Sequence, residues 1–281
     1  MLRKFIDLLL YGHFWIALAA WLMQVQTQLL YFGEWRSSAL DGFVAAGTLV
    51  IYALHRLVAM RMKKAPIYAG RFQIMNTFQL HILIYMLVAG VLGAWFFWQL
   101  PLPIQLVLLM PSLLALAYVL PLFRGRRLRD FPYLKIFLIA LCWAWITVVG
   151  PVLYWGGVID QTLGLIFIER AFFVFAITIP FDIRDLMLDL EGEVSTIPGQ
   201  LGIEQAKRIA YAALVVALLC VMLNVWATQY SGLAAAALVL SLLVSGLLVR
   251  HSHPHRHDYY FTGALDGTMV LQALMVWLLF L

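Results

Sequence analysis

Long apolar runs alternate with short polar links along the whole chain, a pattern of repeated helical membrane crossings. It predicts nine transmembrane helices, over residues 10–32, 41–61, 74–98, 102–122, 133–155, 162–183, 206–228, 231–249 and 264–281. Several of these runs are close to the shortest useful span. The links between them hold no soluble domain, no low-complexity linker and no short-period repeat. Residues 1–281 therefore read as one all-α, polytopic integral membrane domain.

Composition agrees. Of 281 residues, 64% are hydrophobic and 12% charged, and the mean hydropathy of +0.92 excludes a soluble domain. Cys142 and Cys220 lie inside apolar runs, with neither a disulfide framework nor a zinc spacing. Arg3 and Lys4 lead into apolar sequence without a small-residue cleavage site, which reads as an uncleaved first span. The net charge of +5 does not imply nucleic acid, because the cations follow the membrane topology. All 19 Lys and Arg residues except Arg36 and Arg170 fall at the N-terminus or in alternate links. The positive-inside rule then makes the N-terminus and those links cytoplasmic and puts the C-terminus on the far side.

The chemistry concentrates in one cytoplasmic stretch. Asp182, Asp185 and Asp189 recur at i, i+3 and i+7, which on a continuous helix places them on one face. Carboxylates left unpaired beside apolar helix are costly, and a hard oxygen cluster suits Mg²⁺ shared with a phosphorylated ligand. A solvated helix end is the simpler reading of the spacing.

The same stretch resembles the UbiA superfamily of intramembrane prenyltransferases. It reads D-x-R-D-x-x-x-D from Asp182 to Asp189, then Gly192, Thr196-Ile197-Pro198 and Leu201-Gly202. Tyr118, Pro121 and Arg124 are similar to the family's Tyr-x-x-Pro segment followed by a basic residue. The resemblance implies transfer of a prenyl chain from a prenyl diphosphate to an aromatic or lipid acceptor. It implies Mg²⁺ on Asp185 and Asp189, with Asp182 completing or supporting that site. Arg56, Arg61, Arg124 and Arg126 would hold the diphosphate, and a lateral opening would admit the lipid tail. For any one of these arginines, ordinary positive-inside anchoring is the competing reading.

The chain also departs from the family. Where its members carry a first acidic motif, N-D-x-x-D-x-x-x-D, there is no carboxylate between Asp41 and Asp130. His55, Arg56, Arg61, Lys63 and Lys64 occupy that region instead. Gly192 falls one place early, and Ser195 stands where a basic residue often precedes the threonine. Two readings follow. Cations led by Arg56 replace one metal as the diphosphate clamp, or catalysis is lost and the fold binds isoprenoid lipid without turnover. A transporter would need polar groups and broken helices near the midplane, whereas the charge here gathers at one surface.

The remaining polar residues are less specific. His251, His253, His255 and His257 read as a polar loop, since Pro254 interrupts any helix. Asn76, Gln79 and His81 either line a cavity or bond between helices. Glu169 and Arg170 are adjacent and do not face each other on a helix, so each needs an interface or another helix as partner. Asp266 is ambiguous in the same way.

Overall fold

A computed structural model describes residues 2–61, 78–122, 125–191, 194–227 and 230–280, apart from the side chains of residues 2–4. Lys63, Lys64, Asn76, Arg124 and Gly192 lie outside the described residues.

The chain opens with α1 (Leu2–Tyr11) and α2 (Phe14–Phe32), bent by 61° at Gly12-His13. A Cβ at Gly12 would meet the Leu8 carbonyl oxygen at 2.2 Å, so this bend needs glycine. The bundle continues with α3 (Ala39–Arg61), α4 (Gln79–Trp98) and α5 (Leu102–Val119). Pro111, inside α5, has no N–H to offer the Val107 carbonyl. Trp145 Nε1 donates to that carbonyl at 3.0 Å, which ties α5 to the next span. That span, α6 (Leu134–Tyr154), widens into a π-helical turn over Trp145–Val149, directly before Gly150-Pro151 interrupts its ladder.

Next come α7 (Gln161–Arg184), the short α8 (Leu186–Glu191) and α9 (Ile197–Leu201), and then α10 (Ile203–Ala227) and α11 (Gly232–Arg250). The last helix, α12 (Asp266–Trp277), continues from a π-helical turn over Tyr260–Leu265. Seven helices among the described residues are long and apolar enough to cross a membrane, or eight with the bent α1–α2 pair. The ninth predicted stretch, 264–281, contains α12, which packs against α2.

Packing is uneven, and the unevenness leaves room for a ligand. α7 lies against α6 and α10, where buried Ala206, Ala210, Ala213 and Ala217 let the α10 backbone approach closely. In the most apolar stretches of the four spans from α6 to α11, 39–56% of residues are buried; in α3–α5 only 11–22% are. The loosely packed α3–α5 side exposes apolar side chains and encloses cavities.

The bundle interior also holds polar groups. Arg170 is fully buried, and its Nη1 donates to the Met23 carbonyl and Thr147 Oγ1, both at 3.0 Å. Its Nη2 donates to Gln26 Oε1 at 3.2 Å, and Gln272 Nε2 donates to Glu169 Oε1 at 3.2 Å. The adjacent Glu169 and Arg170 thus reach other helices, and their closest charged atoms stay 3.9 Å apart.

Candidate functional site

The acidic stretch does not form one continuous helix. α7 stops at Arg184, and Asp185 adopts non-helical angles (φ −90°, ψ 7°) before α8 begins. Its N–H donates to the Phe181 carbonyl at 3.0 Å, and the Asp189 N–H donates to the Asp185 carbonyl at 2.9 Å. This turn directs Asp185 to a different cation from Asp182 and Asp189, so the three do not act as the single acidic face expected.

Asp182 and Asp189 share one cation. Lys135 Nζ stands 2.6 Å from Asp182 Oδ1, an ion pair by distance, and donates to Asp189 Oδ2 at 3.3 Å. All three residues are buried. Burial pushes the Asp189 carboxyl above its usual range, with Lys135 pulling the other way. Asp185 turns instead to Arg184, whose Nε and Nη2 each donate to one of its oxygens at 2.9 Å. Arg184 Nη1 also lies 3.6 Å from Asp258 Oδ1, and its guanidinium sits over the rings of Phe181 and Phe261. Asp185 and Asp189, expected to share Mg²⁺, thus face different side-chain cations. Among the described residues, no three His, Cys, Asp or Glu side chains gather to hold a metal ion.

The segment around Thr196 helps position Lys135. Thr196 Oγ1 accepts the Gly199 N–H at 3.3 Å and caps α9, with Pro198 in its first turn. The neighbouring Ser195 carbonyl accepts the N–H of Tyr133, which precedes α6. Tyr133 has φ 59°, a left-handed backbone that costs about 1–3 kcal/mol at a residue bearing a side chain. This joint sets the first turn of α6, and so the origin of the Lys135 stem.

A second group of cations lies at the same end of the bundle. Arg127 and Asp130 pair at 2.7 Å across the short 3₁₀ turn Leu128–Asp130. Arg129, projecting from that turn, contacts His55 Nε2 and lies 5.4 Å over the Tyr118 ring. Arg56, Arg129, Lys135 and Arg184 then line one cavity of about 160 Å³, together with Asp185 and Asp266. Tyr52, His55 and Tyr118 form part of its wall and also border an apolar cavity of about 150 Å³. Tyr52 further borders a third cavity, of about 270 Å³, walled by Gly47, Ala89, Gly90, Gly93 and Trp143. A polar chamber therefore shares walls with apolar space between α3, α4, α5 and α6.

The chain matches the UbiA prenyltransferase family over residues 58–272. It belongs to that family. No curated protein matches it. Its fold is similar to that of a UbiA homologue from Archaeoglobus fulgidus bound to GPP and Mg²⁺, with a TM-score of 0.68 and 12% identity, covering 98% of this chain and 99% of the other. The same homologue bound to DMAPP and Mg²⁺ gives 0.67 at 12% identity, covering 96% and 99%. An apo UbiA homologue from Aeropyrum pernix K1 gives 0.60 at 12% identity, covering 93% and 94%. The chain is accordingly a multi-pass membrane protein of prenyltransferase type.

Within this UbiA protein, the residues expected to act together separate. Asp182, Asp185, Asp189 and Arg56 converge at one end of the bundle. Arg61 is exposed and borders a groove with Gln79 and Leu83, while Arg126 is exposed and does not line the cation-rich cavity. His81 is exposed as well. Sequence reasoning passed over Lys135 and Arg184 as site residues, whereas Arg129 belongs, with Arg124, Arg126 and Arg127, to the cationic link expected to meet a diphosphate. Lys135 did carry a signal: a lysine inside the first turn of an apolar span needs a partner.

Proposed function

We propose that this protein binds the diphosphate of a prenyl donor in the cation-lined cavity and transfers the prenyl group to an aromatic or lipid acceptor. The supporting observation is the shared wall: four cations line the polar chamber, and Tyr52 borders both it and the two apolar cavities. A prenyl diphosphate has the same division, a multiply charged head on an apolar chain.

Arg56 and Arg129 line the chamber from α3 and the α5–α6 link, and Lys135 and Arg184 from α6 and the end of α7. Guanidinium groups fixed around the chamber stabilise the charge that gathers on diphosphate as its bond to the allylic carbon breaks. The electron pair of that C–O bond leaves with the diphosphate, the acceptor's nucleophilic atom takes the allylic carbon, and the proton that atom gives up passes to the departing diphosphate. The rings of Tyr52 and Tyr118 border the place where positive charge then develops. Asp182, Asp185 and Asp189 hold Lys135 and Arg184 in position. The distribution of Lys and Arg puts this chamber on the cytoplasmic side.

Non-catalytic isoprenoid binding is the second reading. It draws support from the first acidic motif's replacement by His55 and Arg56, and from the ion pairing of all three aspartates in the second. Incubating the purified protein with GPP and extracted membrane lipids, and measuring released diphosphate, separates the two. Release together with a prenylated lipid supports transfer. Saturable GPP binding without either product supports the binding reading, and no binding rejects both.

A further inference from the structure

Three carboxylates at the end of α7 have to be neutralised, since a buried carboxylate without a counter-charge costs several kcal/mol. Diffusible metal ions do this in some proteins; here each carboxylate meets a cation tethered to the chain. Arg184 spans both oxygens of Asp185 at 2.9 Å. Lys135 Nζ sits between Asp182 and Asp189, at 2.6 and 3.3 Å, although the two aspartates belong to different helices. A divalent ion entering between them would have to displace the ammonium.

The ammonium also has a direction to spare. A lysine head carries three N–H groups and accepts none. One donates to Asp189, Asp182 Oδ1 stands 2.6 Å from the nitrogen without accepting a hydrogen bond, and Lys135 also lines the cation-rich cavity. An N–H beyond the one given to Asp189 is therefore placed to donate to an oxygen atom inside it. In the same chamber α3 presents His55 and Arg56, Arg129 joins them, and Asp266 lies close enough to Arg56 to interact with it. Four cations and two carboxylates, Asp185 and Asp266, line the wall, with Asp182 and Asp189 held by Lys135 and Asp258 by Arg184 behind it. Such a wall accepts a polyanion without a metal to bridge it.

We propose that Lys135 is a tethered replacement for a divalent ion, so that prenyl diphosphate binds in this cavity without Mg²⁺. The proposal rests on the reading of the cavity as a prenyl diphosphate site. One ammonium carries half the charge of Mg²⁺, and Arg56 and Arg129 supply the remainder from α3 and the α5–α6 link. The aspartates serve as the ammonium's cradle and are not themselves ligands of the substrate complex.

The test is the affinity of the full-length, detergent-solubilised protein for a thiolodiphosphate analogue of GPP, measured in EDTA and again in Mg²⁺. For the unmodified protein the two values should agree within about threefold. Lys135→Gln should lose about tenfold or more in EDTA. It should recover in Mg²⁺, because Asp182 and Asp189 are then open to a metal. Lys135→Arg, which keeps the charge, should retain metal-free binding. Binding that disappears in EDTA and returns with Mg²⁺ in the unmodified protein overturns the proposal but leaves the cavity a prenyl diphosphate site. Unchanged EDTA binding in Lys135→Gln overturns the role of Lys135. No binding in either buffer overturns this proposal and the reading beneath it together. Should Lys135→Gln fail to fold, the unmodified protein's own comparison still decides the matter.

Discussion

Arg129 meets the Nε2 of His55, 74 residues away in the chain, at the wall of the polar cavity. The contact joins the α5–α6 link to α3 and puts a guanidinium beside Arg56, in the region where family members carry acids. Charge-assisted hydrogen bonds to a phosphoryl oxygen contribute about 1.5–3 kcal/mol each. Arg56→Gln and Arg129→Gln should each weaken prenyl diphosphate binding by about tenfold to a hundredfold. Arg61→Gln, Arg126→Gln and Arg36→Gln, all exposed and off the cavity, should each change it by less than about threefold. Equal losses across all five variants, read by calorimetric titration, would assign the effect to general surface charge.

The apolar cavities make a second prediction, about chain length. A Cβ added at Gly47 would meet no atom within 4 Å, and Gly47 borders the 270 Å³ cavity. Gly47→Leu fills that space without a clash at the backbone. Affinity for GPP should be kept, while diphosphates with longer prenyl chains should bind about tenfold more weakly than to the unmodified protein. A uniform loss at every chain length would locate the tail elsewhere.

Arg170 supports the bundle and lies away from the cavity. Its guanidinium bonds to Met23, Gln26 and Thr147, joining α7 to α2 and to the π-helical turn of α6. Arg170→Ala leaves Glu169 buried beside unpaired acceptors and should destabilise the fold by about 3–5 kcal/mol. Arg170→Met combined with Glu169→Gln removes both charges and should recover much of that loss. Thermal unfolding in detergent, followed by tryptophan fluorescence, compares the two; equal melting temperatures would show that the charge pair is dispensable.

Orientation is directly measurable. Ser37 lies in the α2–α3 link and Gln200 in α9, and both are exposed. Ser37→Cys and Gln200→Cys should react with a membrane-impermeant maleimide from opposite faces, Gln200→Cys from the cytoplasmic one. Both labelling from the same face would overturn the topology read from the basic residues.

Most of the architecture is a property of local sequence. Apolar runs of about twenty residues must become helices in a bilayer, because no water is present to satisfy an open backbone. The distribution of Lys and Arg predicts an orientation, and the D-x-R-D-x-x-x-D stretch with its Thr-Ile-Pro marks the end of the bundle where the cation-lined cavity lies. Three matters depended on the tertiary structure. The helix stops at Asp185, so Asp182 and Asp189 face Lys135 while Asp185 faces Arg184; a spacing of i, i+3, i+7 is informative only while the helix is unbroken. Arg56 points into the cavity and Arg61 and Arg126 do not, because a charge in sequence has a position but no direction. Lys135, counted in sequence only as one more basic residue, becomes the cation of the acidic motif because the packing of α6 on α7 brings its ammonium within 3.3 Å of two carboxylates. Coulomb energy in a buried wall changes steeply over a few ångströms, and only the folded chain sets those distances.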